Sequence, residues 1–317
     1  MSLIEKAAQR LDKLKQASAD PEGELLIKPA ASVPTTPPAE PAPSAGAVGV
    51  QSSEVPKGGS HTFSRVVSRV AQIDLARLHS LGMVTPEHPR STTAEEYRVL
   101  KRPLLRNATA TGAAKIDDGN LIMVTSALPG EGKTFNAINL AISMAMELDY
   151  TVLLVDADVS RPSVLRQLGL PPEKGLMDVL AGDVTDLSDV LLRTNIEKLS
   201  ILPAGMPHQR ATELLASEAM TRLLEQMATR YPDRIIIFDS PPLLVTTESR
   251  VLATHMGQIV MVVEAERTTH ATIKQALATI ENCPIKLMVL NKSRERSAGS
   301  YYGYGYTYGD TPREQAA

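Results

Sequence analysis

Apolar and polar positions along this chain fall into two rhythms. Short, nearly continuous apolar runs recur at 121–125, 150–155, 199–203, 234–238, 258–263 and 286–290. Unbroken runs of that length read as strands buried on both faces of a sheet. Between them lie segments with apolar residues every three or four positions. Residues 218–230 place Met220, Leu223, Leu224 and Met227 on one helical face, and 269–281 reads as a further helix. Shorter helical pieces are expected at 175–182 and 211–217. The segment 135–148 is apolar almost all round, broken only by Asn136, Asn139, Ser143 and Glu147. Strands alternating with helices imply right-handed crossovers and a mostly parallel sheet with helices on both faces. The expected fold class is therefore α/β, with any ligand at the carboxyl ends of the strands.

The pattern also divides the chain. Residues 1–18 carry Leu3, Ile4, Ala7, Ala8, Leu11 and Leu14 at helical spacing. This predicts a short amphipathic helix, either solvated and frayed or a docking element for a membrane-bound partner. Residues 19–60 are rich in Pro, Ala, Ser and Gly and read as a disordered linker. Residues 61–90 form a connecting segment with weak helical periodicity. A domain then runs over 91–297, opening with a helix capped by Ser91 or Thr92 and carrying Glu95 and Glu96 in its first turn. Its Glu95, Arg98 and Lys101 recur every three residues. That spacing puts three charges near one face, as ion pairs within the helix or as contacts to a neighbouring subunit. Residues 298–317 read as a flexible tail. Five of the chain's eight tyrosines crowd there, Tyr301, Tyr302, Tyr304, Tyr306 and Tyr308, interleaved with Gly in a way that prevents a packed element.

Composition narrows the class. The 317 residues are 22% charged with a net charge of −3, which gives no electrostatic footprint for nucleic acid. No apolar run approaches the ~18 residues of a membrane span, and the N-terminus has no apolar signal-peptide core. The single Cys283 excludes an internal disulfide framework and fits a reducing cytosol. The six His residues are scattered without metal-ligand spacing.

Candidate chemistry begins with SALPGEGKT at 126–134, between an apolar strand and a buried helix. That is the setting of a phosphate-binding loop. Gly130 and Gly132 let backbone N–H groups turn inward at a helix N-terminus. Pro129, Gly130, Glu131, Gly132, Lys133, Thr134 and Phe135 are assigned to ATP. Lys133 would reach the β- and γ-phosphates, and the Thr134 hydroxyl would ligate Mg²⁺. Ala127 stands where the usual pattern has its first Gly. Two further apolar strands end in acids, Asp156-Ala157-Asp158 and Asp239. Asp239 is the expected Walker-B-like carboxylate and, with Thr134 and Asp156, completes the candidate Mg²⁺ set. A strand-end Asp can instead cap the next helix. Three motifs in this order point to a nucleotide triphosphatase or kinase. Asp156 is the candidate general base for a phenol, whose ordinary pKa is about 10, with Asp158 assisting. Arg161 would steady phosphoryl oxygens or its loop, and Asn291 is placed at the adenine edge.

These stretches together resemble the bacterial tyrosine autokinases of exopolysaccharide and capsule biosynthesis, phosphate-loop proteins related to the MinD/ParA ATPases. The resemblance rests on ALPGEGKT, LLVDADVSRPS, IIIFDSPP and the Tyr-rich C-terminus, and runs from about residue 91 onward. SLIEKAAQRLDKL and EEYRVLKRPLL further resemble the exosortase-associated subgroup (XrtA/PEP-CTERM). The resemblance implies that Lys133 and Thr134 bind phosphate and Mg²⁺, that Asp156 and Asp158 form the second aspartate motif, and that Asp239 is the third. It implies that Tyr301, Tyr302, Tyr304, Tyr306 and Tyr308 are phosphorylated by a neighbouring subunit in a ring-like homo-oligomer. The family's ring motif is Glu, two residues, Arg, two residues, Arg. Glu95 and Arg98 match it, and Lys101 replaces the last Arg without its bidentate fork. Leu128 stands where the MinD/ParA group has an extra Lys. The resemblance also implies a membrane-bound polysaccharide co-polymerase or activator on a separate chain. The protein would then be cytoplasmic, held at the inner membrane by that partner. The expected activity is ATP-dependent autophosphorylation that regulates polysaccharide chain length or export. The alternatives are a MinD/ParA-like ATPase without kinase activity and a non-catalytic adaptor of a glycan export complex.

Overall fold

The computed structural model describes residues 70–230 and 233–293. The amphipathic segment, the linker, residues 61–69 of the connecting segment and the tyrosine cluster lie outside the described residues. In chain order the elements are β1 (Val70–Ala71), α1 (Leu75–Ser80), α2 (Thr92–Ala108), β2 (Leu121–Ser126), α3 (Lys133–Ala145) and β3 (Thr151–Asp156). There follow α4 (Val164–Leu168), α5 (Leu176–Ala181), β4 (Leu192–Thr194), β5 (Leu199–Leu202), α6 (Ala211–Leu215) and α7 (Glu218–Arg230). The last are β6 (Arg234–Asp239), α8 (Glu248–Ala253), β7 (Gln258–Glu264), α9 (His270–Ala278) and β8 (Ile285–Asn291).

The strands form one sheet in the order β1-β4-β5-β3-β6-β2-β7-β8. Every pairing is parallel except β4 against β5. All six strands read from apolar runs are present, so the α/β expectation holds. β1 and β4, of two and three residues, are too short to show a period. The helices α4 and α8, of five and six residues, are likewise too short to show a period. Side chains alternate across the central strands and build two cores. Ile122, Val124, Leu154 and Ile237 face α3, while Leu121, Met123, Leu153 and Phe238 face the layer containing α7. Register sets Asp156 directly beside Asp239, because β3 and β6 pair residue for residue up to their last positions.

Beyond its first turn, the polar residues of α3 and its extension that interrupt the apolar run, Asn136, Asn139, Ser143 and Glu147, fall at i, i+3, i+7 and i+11, which is one stripe. That stripe receives the segment before the core. Tyr97 Oη donates to Asn136 Oδ1 at 2.8 Å, and the Val84 amide donates to Asn139 Oδ1 at 2.6 Å. Lys101 Nζ donates to the Ser143 carbonyl and pairs with Glu147 at 2.8 Å.

Lys101 therefore corrects the expectation of one charged face over Glu95, Arg98 and Lys101. It is 4% exposed and spends its charge inside the chain, so it is not an oligomer contact. Helical geometry gives the reason. Each three-residue step falls roughly 60° short of a full turn, so Lys101 lies about 120° round the helix from Glu95. Glu95 and Arg98 stay at the surface and pair with each other, and Arg98 also donates to the Pro89 carbonyl at 3.0 Å. Ser91 is the N-cap of α2, accepting from the Ala94 amide at 3.2 Å.

Candidate active site

The phosphate loop links β2 to α3 across the carboxyl edge of the sheet. Gly130 and Gly132 take φ of 87° and 100°, the left-handed region where a side chain is strained. A Cβ on Gly132 would also sit 2.1 Å from Asn291 Nδ2. Ala127 is buried and keeps a backbone that is not left-handed, so a methyl is tolerated where glycine is usual. Gly132 is the N-cap of α3 and no side chain caps that end. The helix N-terminus is left to an anion.

Lys133 projects from the first residue of α3 into the acids at the ends of β3 and β6. Its Nζ lies 2.7 Å from Asp158 Oδ2 and 4.0 Å from Asp239 Oδ1. Burial works against its charge, but Asp239, Asp158 and Asp156 outweigh it and hold the ammonium above its ordinary range. Asp156 does two things at once. Its Oδ2 accepts from the Ser163 and Val164 amides, each at 3.0 Å, and so caps α4. Its Oδ1 is buried with no hydrogen-bond partner, as are both oxygens of Asp239. Those three are the buried side-chain atoms without a partner among the described residues. Burial pushes the Asp156 carboxyl up to about 6 and the Asp239 carboxyl up to about 7, with Lys133 opposing the rise in both.

Orphaned carboxylate oxygens beside the Thr134 hydroxyl suit a hard cation. Among the described residues the acids do not form a ready three-ligand cage. The donor set therefore fits Mg²⁺, which keeps waters and takes phosphate oxygens as further ligands, better than an ion needing an all-protein cage.

Pro129 is exposed at the loop tip and Phe135 is half-buried. Glu131 is buried, its Oε2 accepting from the Leu128 amide at 2.7 Å and its Oε1 from the Thr268 hydroxyl. Arg161 is exposed, and its amide donates to the Asp158 carboxylate at 3.2 Å. Asn291 turns its Nδ2 onto the Glu131 carbonyl at 2.8 Å, and its Oδ1 has no hydrogen bond among the described residues.

The structure thus gathers Lys133, Thr134, Asp156, Asp158 and Asp239 at one place. It adds Ser163, whose Oγ is 2.9 Å from Thr134 Oγ1. It also adds Glu264, Thr268 and Lys292, which the sequence does not single out. Ser163 had a signal in its place five residues after Asp158. The other three had none, because only the order of β2, β7 and β8 brings them to the loop.

An AAA domain model, AAA_31, matches residues 119–292. The putative tyrosine-protein kinase EpsB of Ralstonia nicotianae is 30% identical over 259 residues, covering 79% of this chain and 33% of that protein. The tyrosine-protein kinase YwqD of Bacillus subtilis is 29% identical over 225 residues, covering 70% of this chain and 90% of YwqD. The chain therefore corresponds to about a third of EpsB and to most of YwqD. The kinase domain of Escherichia coli tyrosine kinase ETK superposes with a TM-score of 0.58 at 26% identity, covering 74% of this chain and 94% of that domain.

Proposed function

The chain belongs to the AAA domain family AAA_31, with bacterial tyrosine-protein kinases among its relatives, and on that premise we propose that it is an ATP- and Mg²⁺-dependent protein-tyrosine autokinase. The observation that carries this reading is the convergence of Lys133, Thr134 and three carboxylates at one sheet edge, with orphaned oxygens on Asp156 and Asp239. The acceptors are Tyr301, Tyr302, Tyr304, Tyr306 and Tyr308 of a neighbouring subunit.

In this reading the loop amides and Lys133 hold the β- and γ-phosphates, with Lys133 sharing its three N–H donors between phosphate and Asp158. Thr134, Asp156 and Asp239 would hold Mg²⁺, which supplies charge neutralisation on the phosphates. Asp156 takes the phenolic proton as the tyrosine oxygen bonds to the γ-phosphorus. The bond to the β-phosphate oxygen breaks and ADP leaves. Arg161, exposed beside the acids, steadies the loop or the phosphoryl oxygens. Asn291 offers its unused Oδ1 to the adenine amino group. Each phosphotyrosine adds about −1.5 to −2 charges, so a modified tail repels its neighbours and the acidic site. Assembly loosens, and cycling regulates exopolysaccharide chain length or export.

Glu95 and Arg98, both on the surface of α2, remain the proposed ring contacts. Among the described residues no helix is long and apolar enough to cross a membrane. We place the protein in the cytoplasm, at the inner membrane through a separate polysaccharide co-polymerase, with no nucleic-acid partner. The amphipathic pattern of 1–18 makes that segment the candidate docking element for this partner. Incubation with Mg²⁺-ATP should yield phosphotyrosine in the wild type and none in Lys133→Met. Phosphate release without phosphotyrosine, in enzyme supplied with its activator, would instead make it a MinD/ParA-like ATPase.

A further inference from the structure

Strands β7 and β8 supply none of the groups assigned to phosphate or Mg²⁺ in the loop and the acidic motifs, yet their carboxyl ends grip the phosphate loop from the side. Two successive residues catch two successive loop carbonyls. Asn291 Nδ2 donates to the Glu131 carbonyl at 2.8 Å, and Lys292 Nζ donates to the Gly130 carbonyl at 2.7 Å. Lys292 holds a left-handed φ of 59°, as does Glu266 at 61°. Non-glycine residues persist there only where the surroundings over-determine them. Glu264, the last residue of β7, aims the ammonium through a contact of 3.1 Å, while Arg267 lies 3.4 Å from its other oxygen. The Ala265 amide donates to the Asn291 carbonyl at 2.9 Å and closes the unit. From the same side Thr268 holds the Glu131 carboxylate.

We infer that Lys292 and Glu264 are positioning residues for nucleotide, forming with Asn291 and Thr268 a brace that aims the phosphate loop. The inference deepens the nucleotide-binding reading above and rests on it. A peptide whose carbonyl is fixed outward has its N–H fixed inward. Lys292 acts on the 130–131 peptide and Asn291 on the 131–132 peptide, so the amides of Glu131 and Gly132 are set before phosphate arrives. Loop ordering is then complete in the free protein, which raises affinity without touching ligand. An ammonium on a carbonyl also polarises that peptide, making its N–H the better donor.

The competing account is a surface ion pair of no consequence, since Lys292 is 46% exposed in its side chain. Titration of the full chain with a fluorescent N-methylanthraniloyl ATP and Mg²⁺ separates the two. Lys292→Met should weaken binding by about 3- to 10-fold, the range of one charge-assisted hydrogen bond partly screened by solvent. Glu264→Gln should weaken it less, and Lys292→Arg should restore most of the loss. In phosphorylation assays the KM for ATP should rise by more than kcat falls. The thermal midpoint of Lys292→Met should stay near wild type, because Lys292 is about half exposed. Wild-type affinity in both Lys292→Met and Glu264→Gln would overturn the brace alone. Failure of the wild type to bind the probe would overturn the nucleotide reading and the brace with it.

Discussion

Asp239 is fully buried at the end of β6 with neither oxygen hydrogen-bonded, and its nearest cation is Lys133 at 4.0 Å. An ionised carboxylate in that position is costly to the fold. Its carboxyl is raised to about 7 chiefly by burial, so above the unfolded carboxylate range the folded state disfavours the charge it carries. Asp239→Asn removes that charge at nearly constant shape. Without nucleotide at pH 8, the thermal midpoint should hold or rise by a few degrees, while phosphotyrosine formation is lost. Differential scanning calorimetry beside an anti-phosphotyrosine assay checks both halves, and a clear fall in the midpoint would show that the carboxylate serves structure. At this scale Lys133, Thr134, Asp156, Asp158 and Asp239 could be picked out from sequence, because each follows an apolar run whose direction fixes the edge it reaches. Glu264 and Lys292 could not, since a Glu or Lys at a strand end is ordinary until its neighbour is known.

The pairing of α2 with α3 shows the same division one level up. The polar stripe Asn136, Asn139, Ser143 and Glu147 is plain in the sequence as a set of interruptions, but what fills it is not. Lys101 fills its far end, donating to the Ser143 carbonyl, one of the last carbonyls of α3 that helix geometry leaves unpaired. Burial lowers the Lys101 ammonium's pKa more than Glu147 raises it, whereas at Glu147 burial is outweighed by Lys101 and the carboxyl stays below its ordinary range. The two shifts weigh the pair differently. With Glu147 partly open to solvent and also 3.2 Å from Arg102, the net stabilisation is modest. Lys101→Met should cost about 1–2 kcal/mol at pH 7, mostly from the unpaired carbonyl and the lost pair. The Glu147 share is present above the ordinary carboxylate range and is lost as pH falls through the depressed folded value. The gap between wild type and variant should therefore narrow on acidification. Urea melts at a series of pH values measure it, and a gap independent of pH would remove Glu147 from the account.

Over the whole molecule, sheet order is what makes a site. With β2 between β6 and β7, and β3 beside β6, the phosphate loop and both acidic motifs share one edge and a single face of approach. The proposed acceptors lie in 294–317, so site and tail are separable. A chain ending at residue 293 should bind Mg²⁺-ATP yet show no autophosphorylation. Mixed with full-length Lys133→Met, it should place phosphotyrosine on the longer, inactive chain. Mass spectrometry of the mixture reads this directly, and an unlabelled Lys133→Met chain would end the proposal of transfer between subunits. The strands long enough to show a period, the phosphate loop and the order of the acidic motifs were determined by the sequence itself, because unbroken apolar runs and glycine placement are local properties. Tertiary structure alone decided that Lys101 turns inward, that Asp156 caps α4 with one oxygen and leaves the other bare, and that β7 and β8 hold the loop. Each of those depends on which non-adjacent strands and helices become neighbours, and no local pattern encodes that.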